Sequence, residues 1–335
     1  MQRGDAIQTE EFYAPLQSLC GMMLLCIYVH RLLGEAGDTQ GLEQARVPDS
    51  VQDGATMTAA TRYAGCIDAA NAQRVRIQGR QPPGDPWASM AAEVFRHDPH
   101  RELDANLEVV AAYVQPGDVV IDVGGGAGRV ALPLALKCKE VISIDPSPSM
   151  CVEFEGSAAE ASISNARVVQ ADWLETEPMS ADLIFSADVV YFVRDIGRFI
   201  EKINGSCRRA IITVWSVPPP NGGAKLFRLV HGEEPEPAPG HCQLLPVLWD
   251  MGILPDVRVL PDFPRWADRS ASSHDGAIKL ALDWVGVETD DQERVRSLIE
   301  ANFQDLFSQN PGGFRPLWFP YARELLITWE TAQGC

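Results

Sequence analysis

No stretch of this 335-residue chain has the spacing of a metal site. Its eight cysteines (20, 26, 66, 138, 151, 207, 242 and 335) include no C-x-x-C pair, and no Cys/His cluster is spaced for zinc. Scattered thiols of this kind read as small buried hydrophobes in a reducing compartment. Basic runs are missing too. Acids outnumber bases 46 to 28, a formal charge of −18. Residues beyond 85 carry 36 of those acids against 21 bases. Such a surface repels phosphate backbones and anionic lipid, which argues against a nucleic-acid partner or stable membrane insertion. The apolar run over 19–29 (LCGMMLLCIYV) falls well short of the ~20 residues a span needs. Asp5, Glu10 and Glu11 outnumber Arg3 ahead of it, and no A-x-A site follows, so it reads as an amphipathic or buried helix rather than an export signal. The expected location is the cytoplasm. No internal repeat or low-complexity tract is present.

What is present is globular composition, 46% hydrophobic and 22% charged. Two regions differ in texture. Residues 1–86 read as an N-terminal helix and a weakly ordered arm. One or two helices fit 1–33, while 34–86 is rich in Gly, Asp, Gln, Ala and Pro without a sustained period and ends in QPPGDP over 81–86. Met57 and Met90 offer alternative starts. Residues 87–335 read as one domain. Helices fit 87–97 and 102–114, then strands at 119–123, 141–145, 167–171, 182–186 and 209–215 alternate with helices at 127–137, 147–161 and 195–203. Further helices fit 225–230, 243–251, 275–284 and 290–307, and strands fit 256–260 and 322–329. Alternation of this kind implies α/β architecture with helices on both faces of a parallel sheet.

The informative stretch is VVIDVGGGAGR over 119–129. Asp122 ends a strand, and Gly124, Gly126 and Gly128 follow at alternate positions, where a backbone without Cβ can turn sharply and approach a ligand. A G-x-G-x-x-G dinucleotide fingerprint would place its third glycine at Arg129, and a P-loop would need G-K-[ST] where Arg129-Val-Ala stands. Both fail.

D-x-G-x-G-x-G after a strand resembles the first motif of class I S-adenosylmethionine-dependent methyltransferases. The resemblance implies a doubly wound, mostly parallel seven-stranded sheet of the Rossmann-like methyltransferase type, with a helical insertion before the last strand. It implies S-adenosylmethionine as cofactor and methyl transfer as the activity. Asp122, Gly124, Gly126 and Gly128 match the motif, with Gly125 at a variable position. Asp145, ending the second strand, matches the acid that the family places on the ribose hydroxyls. Asp172, in Val169-Gln-Ala-Asp-Trp173, stands where the family often contacts adenine, with Trp173 beside it. Ser186-Ala-Asp-Val-Val-Tyr191 closes the fourth strand, where cofactor and substrate are lined. From Trp87 onward the chain also looks like bacterial methyltransferases of undefined substrate, through Asp98-Pro99, Asp145-Pro146-Ser-Pro148, Ala171-Asp-Trp173 and Val189-Val-Tyr-Phe192. Motif-level matching is confined to 119–191.

A sulfonium methyl is already activated, so a base is needed only where the acceptor must lose a proton early. His231, Tyr191 and Asp188 are the catalytic candidates, with His97 and His274 behind them. His231 leads because it lies after the fifth strand, where the family builds its substrate lid, between proline- and glycine-rich stretches at 218–223 and 235–240. Trp249, Trp266 and Trp318 read as core or pocket wall. At the fourth strand, Ser186-Ala-Asp-Val replaces the [NDS]-P-P-[YF] of amino-methylating nucleic-acid enzymes, and no Pro-Cys pair offers a cytosine nucleophile. A small-molecule acceptor is therefore expected. Protein or peptide methylation and a non-catalytic scaffold are the alternatives.

Overall fold

The computed structural model describes residues 57–78, 85, 87–88, 91, 95–218, 223–262, 270–285, 291–319 and 321–331. The helices expected over 1–33, with the apolar run at 19–29, lie outside the described residues, as do Met90 and Trp266.

The first element corrects the linker reading of 34–86. Ala59–Gln78 forms a 20-residue helix, α1. Six of its residues are alanine, the best helix former, so propensity does what periodicity does not. Its buried face is a narrow stripe at four-residue spacing, Ala59, Tyr63 and Ile67, too sparse to register as an amphipathic pattern. The Tyr63 hydroxyl donates to the Val190 carbonyl at 2.7 Å inside the core.

Helix α2 (Ala105–Ala111) is shorter than the 102–114 expected because Asp104 caps it, accepting from the Leu107 N–H at 2.9 Å. Then come β1 (Val119–Val123), α3 (Ala131–Ala135), β2 (Glu140–Asp145), α4 (Pro148–Glu160), β3 (Ala166–Gln170), β4 (Ala181–Ala187), α5 (Ile196–Asn204) and β5 (Cys207–Trp215). Helix α3 begins four residues later than expected, since the glycine loop occupies the space up to Val130. Helix α4 has Ser147 at its N-cap and Pro148 in its first turn, where a proline's missing N–H costs nothing.

Beyond β5 the chain forms α6 (Ala224–His231), α7 (His241–Asp250), β6 (Asp256–Val259), α8 (His274–Val285), α9 (Gln292–Ala301), α10 (Phe303–Leu306), β7 (Phe307–Asn310), β8 (Gly313–Pro316) and β9 (Glu324–Glu330). The single helix expected over 290–307 is broken at Asn302. A β7–β8 hairpin follows it, turning through Pro311 and Gly312. That hairpin packs with α6, α8 and α9 around Leu226, Ile278, Val295, Ile299 and Trp318. Trp249 is 56% exposed and belongs to neither core nor cavity.

Seven strands form one sheet in the order β3-β2-β1-β4-β5-β9-β6. Strands β1 to β5 are parallel, and β9 runs antiparallel between β5 and β6. This is the doubly wound, mostly parallel arrangement anticipated above. Alternation along β1 splits its side chains between two cores. Ile121 and Val123 pack with Ile144, Ile184 and Ile212 on the face covered by α1, α5 and α7. Val120 packs with Val141, Leu183, Phe185 and Phe154 on the face covered by α2, α3 and α4. Asp122 shares that second face, in register with Ser143 of β2. An ion pair ties the base of the sheet. Arg209 donates to the Asp118 carboxylate and the Tyr113 carbonyl at 2.7 and 2.6 Å.

Candidate active site

Strand order reverses beside β1, so β2 and β4 diverge beyond it and leave a crevice at their carboxyl ends. A cavity of about 660 Å³ occupies that crevice. Its floor is the loop after β1, Asp122 to Ala127, with Asp145 and Pro146 from the end of β2. Its far wall is Ala187 to Val189 after β4, with Tyr191, Phe192 and Trp215. Trp87 and Phe95 also line it, edge-on to one another at 5.7 Å, and Trp87 meets Phe192 edge-on at 5.8 Å.

The glycine loop is held by its neighbours. The Gly126 N–H donates to Asp145 Oδ2 and the Ser147 N–H to Asp145 Oδ1, both at 2.9 Å. One carboxylate thus fixes the glycine turn and the start of α4 together. Gly126 has φ +54°, a left-handed conformation that other residues rarely adopt, and space opens above it: a Cβ would meet nothing nearer than Met150 Sδ at 3.6 Å. Gly125 is different. A Cβ there would lie 2.2 Å from Ser143 Oγ and 2.8 Å from Asp122 Oδ2, so only glycine lets the loop approach the strands.

Beneath Gly125 lies a buried carboxyl group. Asp122 is 2% exposed, and neither carboxylate oxygen has a hydrogen bond of ordinary geometry; Ser143 Oγ beside it has none either. Burial pushes the Asp122 carboxyl up to about 7; Arg129 opposes that rise, Asp145 adds to it and the Ala131 backbone N–H opposes it weakly. Burial also raises Asp145, against its hydrogen bonds from Ser147 and Gly126. A buried carboxylate without donors is costly until a cation or donor reaches it.

At the other end stands Asp188, held at φ +59° although it is not glycine. Its carboxylate accepts from the Tyr191 hydroxyl at 3.4 Å and lies 3.9 Å from the Arg129 guanidinium. Burial and the Glu324 carboxylate raise its proton affinity, against Arg129, Tyr191 and Trp215. Tyr191 in turn accepts the Trp215 N–H, and its own burial raises it far beyond physiological pH. Its hydroxyl is therefore a fixed donor, which suits it to orient Asp188 rather than to act as a base.

Of the expected cofactor residues, Asp122, Gly124, Gly125, Gly126, Asp145 and Pro146 line the cavity, together with the catalytic candidates Asp188 and Tyr191. Four others do not line it. Gly128, at φ +88°, packs against Leu132 and Phe154. Asp172 caps the 3-10 turn Trp173–Glu175, accepting from Leu174. Trp173 is buried under Lys202, whose ammonium sits 4.7 Å from the ring centroid. Ser186 donates to the Val123 carbonyl at 3.1 Å and pins β4 to β1. His231 ends α6 beside Phe227, away from the cavity lining. Burial and neighbouring Arg294 lower its proton affinity. His97 and His274 are also outside the lining. Sequence reasoning missed Arg74, Arg129, Met150 and Trp215. Arg129 follows the motif directly and could have been flagged as its one cation; the others come from elements that only folding brings there. Among the described residues, no three His, Cys, Asp or Glu side chains could jointly hold a metal, and no helix is long and apolar enough to cross a membrane.

Comparison with known proteins converges on this half of the sheet. Residues 120–209 match the family described as methyltransferase domain. Over 89 residues the chain is 35% identical to a ribosomal protein L11 methyltransferase of Pelotomaculum thermopropionicum. That match takes in 25% of this chain and spans only 29% of the relative's length. Among solved structures, the YcgJ protein of Bacillus subtilis aligns over 68% of this chain and 97% of its own, with a TM-score of 0.46 and 16% identity. Magnesium protoporphyrin IX methyltransferase from Synechocystis PCC 6803, with bound S-adenosylhomocysteine, aligns over 81% and 99%, with a TM-score of 0.42 and 16% identity. The stretch that matches the methyltransferase domain family, 120–209, carries strands β1 to β4 and the glycine loop after β1, so the match falls on the elements that build the cavity.

Proposed function

We propose that the chain transfers a methyl group from S-adenosylmethionine to a small-molecule acceptor, with Asp188 taking the acceptor's proton. The observation that carries the reading is the orphaned Asp122 carboxylate under Gly125. It is a buried carboxyl group with no hydrogen bond of ordinary geometry, beside a glycine loop that lines the cavity and leaves open space above Gly126. The cationic methionine end of the cofactor supplies the missing charge, while Asp145 retains lone pairs for a ribose diol. Pro146 and Met150 then offer apolar surface to the adenosine.

When bound, the cofactor supplies an activated methyl on a sulfonium, so the protein's task is alignment and exclusion of water. Trp87, Phe95 and Phe192 perform the exclusion. The methyl passes to a nucleophilic oxygen or nitrogen of the acceptor, that atom's proton goes to Asp188, and the sulfonium leaves as a neutral thioether. Tyr191 orients Asp188, and Arg129 stabilises its charged form. A recessed, aromatic-walled cavity of about 660 Å³ suits a small acceptor better than a protein surface.

The deciding measurement is calorimetric titration with S-adenosylmethionine and S-adenosylhomocysteine, alongside Gly126→Arg, which fills the open space above the loop. Micromolar binding, lost in the variant, is the expected result. Absence of binding to folded wild-type protein overturns the reading in favour of a scaffold.

A further inference from the structure

We infer that the acceptor is a small molecule with an apolar, preferably aromatic, body and one oxyanion group, a carboxylate or a phosphate monoester, and that Arg74 is the residue that selects it. The inference rests on the methyl-transfer reading of the same cavity. Arg74 reaches the cavity from α1, which lies outside the stretch that matches the methyltransferase family.

The helix around it is firmly placed. Gln73, buried, donates to the Glu234 carbonyl at 2.8 Å and accepts from the Glu236 N–H at 2.6 Å. Arg76 pairs with Glu233 at 2.8 Å, and Arg194 grips both Asp68 oxygens at 2.8 Å. Arg74 itself is bonded only to the Asn71 side chain, one turn back, and makes no ion pair among the described residues. In a chain of net charge −18, that leaves a guanidinium with most of its five donors unspent, beside an aromatic wall.

Charge accounting assigns it to the acceptor. Asp122 and Asp145 belong to the glycine loop, and Asp188 is faced by Arg129. The methyl donor's single carboxylate is accompanied by the donor's own ammonium group, so the donor brings no unbalanced anion to the cavity. Arg74 remains. A guanidinium is also the side chain whose planar fork matches carboxylate and phosphate bidentately. Trp87, Phe95 and Phe192 then receive the body of the same molecule.

The test uses four probes of one shape: 4-hydroxyphenylacetate, 4-hydroxyphenyl phosphate, 4-hydroxyphenylacetamide and tyramine. Each is titrated calorimetrically into full-length protein saturated with S-adenosylhomocysteine. One or both anions should bind at least tenfold more tightly than the amide and the amine, and which of the two leads identifies the oxyanion. Arg74→Met should level the series to within about twofold, and Arg74→Lys should restore part of the preference. S-adenosylhomocysteine affinity and the melting temperature should be unchanged in both variants. Equal or tighter binding of tyramine or the amide overturns the inference, as does failure of both anions to bind or a preference that survives Arg74→Met. Weakened S-adenosylhomocysteine binding in Arg74→Met also overturns it, by giving Arg74 to the cofactor. Wild-type protein that binds no S-adenosylhomocysteine would instead sink the methyl-donor reading itself.

Discussion

The Asp145 carboxylate accepts the Gly126 N–H at 2.9 Å, so the acid expected to meet a ribose also latches the loop expected to meet the methionine end. Binding and local order are coupled through one side chain. Asp145→Ala removes two hydrogen bonds to a charged group and should cost about 1.5–3 kcal/mol of stability. It should also weaken S-adenosylhomocysteine about tenfold to a hundredfold. Chemical denaturation and calorimetry read the two effects separately. A variant that loses stability but keeps full affinity removes Asp145 from the cofactor contact.

Gly125→Ala probes close approach without backbone strain, because its φ is not left-handed. The new Cβ would fall 2.2 Å from Ser143 Oγ. Relief requires the loop to lift, at about 1–3 kcal/mol. Gly125→Ala combined with Ser143→Ala should recover much of that loss in a thermal melt.

Asp122 predicts a pH dependence. Its folded-state carboxyl lies near 7, above the ordinary value of 3.8. The unfolded state therefore releases this proton first. The group's contribution to stability is full below about pH 4 and is lost as pH rises towards and through 7. A cationic ligand needs the ionised form, so S-adenosylmethionine affinity should rise between pH 6 and 8. Asp122→Asn should flatten both profiles, measured by melts and titrations across that range.

Asp188→Asn should abolish turnover of any acceptor that must lose a proton while leaving S-adenosylhomocysteine binding within about threefold. Tyr191→Phe should act differently. Loss of the donated hydrogen bond raises Asp188 further, so the acid limb of kcat should move to higher pH with turnover retained on the alkaline side. An unshifted limb would mean that Tyr191 does not orient the base.

Helix α1 should prove part of the domain. Tyr63 is fully buried, and Tyr63→Ala should cost about 3–5 kcal/mol, the range for emptying an aromatic site. Tyr63→Phe leaves the Val190 carbonyl unpaired and should cost about 1 kcal/mol. Denaturant midpoints check both.

Much of the central fold was legible because its signals are local. Strand β1 is a continuous apolar run ending in an acid, and the glycine loop is written out in residues 124–128. Asp145 closes β2 where the motif's register puts it. Helix α1 was illegible because three buried apolar side chains in twenty residues are too few to stand out as an amphipathic pattern. The β7–β8 hairpin was hidden within a stretch whose helical pattern runs on to residue 307. His231 looked well placed only by its position in the chain.

The sequence by itself determined the parallel α/β order and the glycine-rich turn at 122–128, since these depend on contiguous residues and on the two periods that a backbone imposes. Tertiary structure alone decided that Asp122 is buried with no hydrogen bond of ordinary geometry and that Tyr191 is spent on Asp188 and the Trp215 backbone. It alone brings Arg74 to the same cavity as Arg129. Each of these is a matter of solvation and proximity between segments far apart in the chain. Burial and distance, which set proton affinity and charge pairing, exist only once the chain has packed.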